Sequence, residues 1–263
     1  AIPILGSFTI THLWLVILIM YNLYSLDRRL VNKRYSIFYH IQNIISLALI
    51  LYSTSRITII SLIVLLFIFA VKKENYILKN FFKYFVIFVI IILVIEVFNI
   101  QIKLERGYLN FEMIKNIFLS AVGLGTHEGM ASGHSERIKY LQDILITHSD
   151  LKSIFVGGGF GYPLIEFKNM EGAAVREPHN SYLSVYARMG IVTLSLWVTF
   201  LISKVKISLK NMKNSVYSLI LFLVLFLCML NATVETFFET PFEATTFYIL
   251  LGILTYIVSS RRE

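Results

Sequence analysis

The stretch Pro178-His179-Asn180-Ser181-Tyr182-Leu183 places a titratable imidazole where a polar segment runs into an apolar one of membrane-helix length. A neutral imidazole accepts a proton from a hydroxyl, and an imidazolium contacts an anion. Pro178 suits a first helical position, because its φ is preset and it has no amide proton to leave unbonded. The first amides of a helix starting near Pro178 would face the preceding loop, a place that favours a phosphate-like group. At about 100° per residue, Gly190 and Thr193 fall near the face of His179 and Arg188 points away. A small residue on that face lets a neighbouring helix or a ligand chain approach closely. The bland alternative is an interfacial histidine bonded to loop carbonyls.

Two arginines carry the same suggestion. Arg56 follows Ser53-Thr54-Ser55 in a tight turn between two apolar runs. An arginine at a membrane edge is costly and tends to mark a ligand or ion pathway, the plain alternative being a side chain snorkelling to headgroups. Arg137 lies in a stretch with helical spacing (Ile138, Leu141, Ile144, Leu145). Gly157-Gly158-Gly159-Phe160-Gly161 follows, and amides in such a run can line an anion-binding concavity or simply make a tight turn. Arg188 needs a partner, for which Glu96 and Glu235 are candidates.

Composition limits what can surround these residues. The chain is 57% hydrophobic and only 15% charged, against about 25% charged in soluble domains. It reads as an all-α, polytopic membrane protein. The single cysteine, Cys228, permits no intrachain disulfide, and the spacing of His127, His134 and His148 fits no zinc pattern. No metal or cofactor is implied. The net charge of +8 invites a nucleic-acid reading, but its distribution opposes one.

Seven spans are expected, near 3–24, 36–53, 56–71, 83–100, 180–203, 215–231 and 244–260. The connectors 25–35, 72–83 and 204–214 and the C-terminal tail hold fourteen of the 24 basic residues against three acids. Seven spans put all four segments on one side, and the positive-inside rule makes that side cytoplasmic. One membrane-embedded domain over 1–263 results, with residues 101–179 as a large extracytoplasmic loop. That loop has eight basic and nine acidic residues and is expected to hold short helices lying on the membrane surface.

The ordered set of motifs resembles the O-antigen ligase and O-antigen polymerase superfamily. His179-Asn180, nine residues, then Gly190-Ile191-Val192-Thr193 matches the ligase pattern H-[NSQ]-x9-G-x-x-[GTV]. Ser55-Arg56 at a turn between spans, Arg137 on a loop helix and the run from Gly157 to Gly161 follow the family's order. The resemblance covers roughly residues 45–260. This chain has fewer spans than members of that family usually have and begins at Ala1, which reads as a piece of a longer polytopic protein.

The resemblance implies a metal-independent glycosyltransferase in the bacterial cytoplasmic membrane, its site facing outward. The donor would be an undecaprenyl-pyrophosphate-linked glycan, and the acceptor lipid A-core or another glycan. Arg56 and Arg137 would hold the pyrophosphate, and His179 would assist the acceptor hydroxyl or contact the pyrophosphate. Asn180, Gly159, Gly161, Gly190 and Thr193 would line the substrate. Guanidinium groups can stabilise the charge growing on a leaving pyrophosphate, and a single displacement inverts the anomeric carbon. A repeat-unit polymerase of the same superfamily is the nearest alternative. A lipid-linked sugar transporter would place polar or broken helices near mid-membrane, whereas these candidates cluster at one face. A polytopic sensor would bind a ligand without turnover.

Overall fold

A computed structural model describes residues 8–28, 30, 32–52, 56–72, 75–104, 107–121, 128–160, 164, 167–168, 174–175, 178–213, 215–238 and 240–260. The described chain is overwhelmingly helical, and it divides into two compact units, Ala1–Ala131 and Ser132–Glu263.

The first unit contains α1 (Phe8–Asp27), α2 (Lys33–Tyr52), α3 (Arg56–Val71), α4 (Asn75–Val97) and α5 (Phe111–Ala121). A two-residue hairpin, β1 (Lys103–Leu104) with β2 (Gly107–Tyr108), lies between α4 and α5. Packing centres on α1, which meets α2, α3 and α4 and buries Val16, Ile19, Met20 and Leu23 completely. The polar groups inside this apolar packing find one another, as buried polar groups must. Asn22 Nδ2 donates to Asn43 Oδ1 at 3.0 Å and to Gln42 Oε1 at 3.3 Å. Asn43 Nδ2 donates to the Tyr84 hydroxyl at 3.3 Å, which also meets His40 Nδ1.

The second unit is built on α8 (Ser181–Asn211), flanked by α9 (Val216–Asn231) and α7 (Leu151–Val156), with α10 (Pro241–Ser260) against α9. Ahead of these come α6 (Glu128–Thr147) and the hairpin of β3 (Phe167–Lys168) with β4 (Ala174–Val175). The short strand pairs β1–β2 and β3–β4 are additions to the all-α expectation. Tyr140 and Ile144 of α6 pack on Leu183 and Ala187 of α8. An aromatic stack joins α8 to α10: Trp197 meets Phe238 at 4.8 Å and Phe238 meets Phe247 at 4.9 Å, both edge to face.

Three stretches among the described residues are long and apolar enough to cross a membrane: Ile77–Val97, Ser181–Asn211 and Glu243–Ser260. His12–Leu26, Tyr35–Ile50, Arg56–Val71 and Val216–Asn231 are shorter apolar helices. On α4, Phe82, Ile90, Leu93 and Val97 are exposed, a surface that suits lipid and not water. Two of the expected connectors are corrected. Helix α4 begins at Asn75 and runs through Lys79 and Lys83, and α8 continues through Lys204, Lys206 and Lys210. Lysine is a good helix former, and its long stem lets the charge leave an apolar zone.

Candidate functional site

His179 stands one residue ahead of the cap of α8. Its φ is 47°, in the left-handed region that histidine enters more readily than most side chains. Its Nδ1 lies 3.5 Å from Glu235 Oε2, and the two side chains are 47% and 39% exposed. That distance exceeds an ordinary N–H···O bond, so the carboxylate guides the ring electrostatically without clamping it.

The helix beneath is fastened to the 232–238 segment by a dense set of bonds. Asn180, extended at φ −158°, caps α8 by accepting the Leu183 amide at 3.0 Å. Its Nδ2 donates to the Thr233 carbonyl at 3.1 Å. Ser181, wholly buried, donates its amide to the carbonyls of Ala232 (2.9 Å) and Glu235 (3.2 Å). Its hydroxyl donates to the Glu235 carbonyl and accepts the Phe238 amide at 3.0 Å. Tyr182 adds a bond from its hydroxyl to the Met229 carbonyl at 2.8 Å.

This arrangement corrects two expectations. The helix starts at Ser181 and not at Pro178, which is buried upstream of it. The amides of Ser181 and Leu183 are spent inside the protein, so they do not face an anion in the preceding loop. Asn180 is committed on both sides, as cap and as donor to Thr233.

A further correction concerns Gly190. Its φ of 76° and ψ of 173° break α8, so the angular count from His179 restarts there and does not carry Gly190 and Thr193 onto one continuous face. Gly190 is buried and Thr193 half-buried. Just ahead of the break, two carbonyls of α8 take amides from the glycine run. The Gly158 amide donates to the Ala187 carbonyl at 2.8 Å and the Gly159 amide to Arg188 at 2.9 Å. The amides expected to line an anion-binding concavity are thus structural at Gly158 and Gly159. Gly161 lies outside the described residues.

The guanidinium of Arg188 sits 5.5 Å from the centre of the Phe160 ring. Of its two expected partners, Glu235 faces His179, and Glu96 accepts the Phe111 amide at 3.4 Å. Arg137 lies within α6, its side chain outside what is described. Arg56, in the first unit, is the half-buried first residue of α3. A cation there opposes the helix dipole, so helix stability does not account for it. The sequence offers Glu235, with Glu96, as a candidate partner of Arg188. The pairing with His179 spans 56 positions, and its only trace in sequence is an acid in a short aromatic loop.

No family model, curated protein or solved structure matches this chain. Among the described residues, no three His, Cys, Asp or Glu side chains gather where they would hold a metal ion.

Proposed function

We propose that the chain is a membrane glycosyltransferase that moves a glycan from an undecaprenyl-pyrophosphate donor to an acceptor hydroxyl at the outer face of the cytoplasmic membrane. The observation that carries the reading is His179, half exposed at the head of an apolar helix with Glu235 beside Nδ1. A carboxylate at Nδ1 favours the tautomer that leaves Nε2 as base, and it stabilises the imidazolium formed when Nε2 takes a proton. Nε2 accepts the acceptor's hydroxyl proton as its oxygen attacks the anomeric carbon, and the bond to the lipid pyrophosphate breaks. Arg56 and Arg137 are the proposed partners of the departing pyrophosphate, on the resemblance alone. In this reading all seven apolar helices span, with residues 101–179 outside.

A ligase is favoured over a repeat-unit polymerase by the full histidine pattern, and the acceptor decides between them. The break at Gly190 bears on a transporter, since transporters use discontinuous helices. Beside the break, the carbonyls of Ala187 and Arg188 accept glycine amides, which supports a structural role for them over one as ion or substrate ligands.

The test is transfer of a labelled glycan from undecaprenyl-pyrophosphate in proteoliposomes containing EDTA, with lipid A-core and a lipid-linked glycan as acceptors. Transfer by the wild type and its loss in His179→Ala supports the reading. Absence of transfer to both acceptors by the folded, full-length protein overturns it.

A further inference from the structure

We propose that α7 and the glycines behind it form a re-entrant segment, dipping into the hydrocarbon of the leaflet in which α8 begins, with lipid acyl chains covering Phe155 and Val156. This inference rests on the membrane placement of α8 and not on any catalytic reading.

Depth is the first argument. Lys204 opens the basic run at the far end of α8. A hydrocarbon core of about 30 Å corresponds to about 20 helical residues, and counting back from Lys204 reaches Ser184. Ala187 and Gly190 then lie roughly 5–9 Å inside the near boundary at 1.5 Å per residue. Residues 155–159 touch α8 at that level: a Cβ on Gly190 would come within 2.2 Å of the Phe155 carbonyl oxygen, and one on Gly157 within 2.3 Å of the Arg188 carbonyl carbon. Near the start of the segment, the Tyr186 hydroxyl reaches the His148 carbonyl at 3.4 Å. The chain therefore descends along α7 and turns back at the glycines.

Hydrogen bonding is the second. Irregular backbone at membrane depth is tolerated only where its polar groups are satisfied by protein. The amides of Gly157, Gly158 and Gly159 all are, through the carbonyls of Ser153, Ala187 and Arg188. Two of those acceptors belong to α8 just ahead of its break at Gly190, so the helix supplies partners for the amides of the turn.

The surface is the third. Phe155 is 53% and Val156 65% exposed, while Asp150 and Lys152 are exposed at the opposite, entering end. Arg188, half-buried at this level, holds its guanidinium 5.5 Å from the centre of the Phe160 ring, beyond the turn. The sequence-based expectation of short helices lying flat on the membrane gives way, for α7, to one that enters it.

The experiment uses single cysteines in a Cys228→Ala background of the full chain in proteoliposomes. Lys152→Cys should react with a membrane-impermeant maleimide, and Phe155→Cys and Val156→Cys should lose that reaction. A fluorophore attached at either of the latter should be quenched by phospholipids carrying a nitroxide on the acyl chain. Both substituted side chains are exposed within the fold, so packing is kept. Aqueous reactivity equal to that of Lys152→Cys would overturn the proposal. Protection without nitroxide quenching would also overturn it, pointing to a protein cover from a partner or a second copy.

Discussion

Gly190 receives the backbone of Phe155 so closely that any β-carbon on it would sit 2.2 Å from the Phe155 carbonyl oxygen. The contact is backbone against backbone, so no side-chain rotation relieves it. The glycine at this position therefore has a local reason: it is where α7 docks into α8.

Gly190→Ala should accordingly destabilise the second unit. Its φ of 76° with ψ of 173° is a combination that only glycine adopts readily and that costs an alanine about 1–3 kcal/mol, and the clash adds to it. Gly157→Ala meets the Arg188 carbonyl from the other side of the same junction. The double variant should lose less than the sum of the single losses, because either change already separates the two elements. Thermal unfolding in detergent of the four proteins checks this; additive losses would mean that the two glycines act independently.

Ser181→Ala should be costly for a small change. It leaves the buried Phe238 amide without its acceptor and removes one donor from the Glu235 carbonyl. An unsatisfied buried group costs about 1–3 kcal/mol. Because this serine holds the segment that carries Glu235, faster amide exchange across residues 232–240 should accompany the loss of stability. A variant with wild-type exchange there would show that the remaining bonds from Asn180 and Tyr182 suffice.

Much of the helical framework was legible because membrane helices announce themselves by apolar run length. The end of α3 at Val71 was read correctly, since Lys72 and Lys73 stop the apolar run. The start of α4 and the end of α8 were not, because their lysines read as connectors although lysine extends helices well. The break at Gly190 left no periodicity signal, as Ile191 and Val192 continue the apolar run beyond it. His179 was legible as an imidazole at a boundary. Its geometry was not, because the pairing with Glu235 and the fastening of Ser181 depend on residues more than fifty positions away.

Asp150 gives α7 a pH dependence of definite sign. It caps the helix by accepting the Ser153 amide at 3.0 Å, and hydrogen bonds from the Ser153 side chain and backbone hold its carboxyl below the ordinary value of 3.8. A carboxyl lowered on folding contributes stability that is full above its unfolded value and is lost as pH falls through the folded one. Exchange of the Ser153 amide should therefore stay slow from neutral pH down to about 4 and quicken below it, after correction for intrinsic exchange. Asp150→Asn keeps a capping oxygen and should remove the acid-induced change. Asp150→Ala should exchange fast at every pH.

His179 and Glu235 should separate chemistry from folding. Both side chains are partly exposed, and among the described residues their ionic contact is with each other, so His179→Ala and Glu235→Gln should melt like the wild type. Under the proposed mechanism, loss of the base lowers kcat by about 10²–10⁴-fold, with the KM for the donor little changed. Glu235→Gln should cost less, because glutamine keeps an oxygen that can accept from Nδ1–H but not the charge that stabilises the imidazolium. Glu235→Asp keeps the charge on a shorter stem and should recover part of the rate. If Glu235→Gln transfers glycan at the wild-type rate while His179→Ala does not, the carboxylate has no part in catalysis, and the histidine works as a pyrophosphate contact or as an unassisted base.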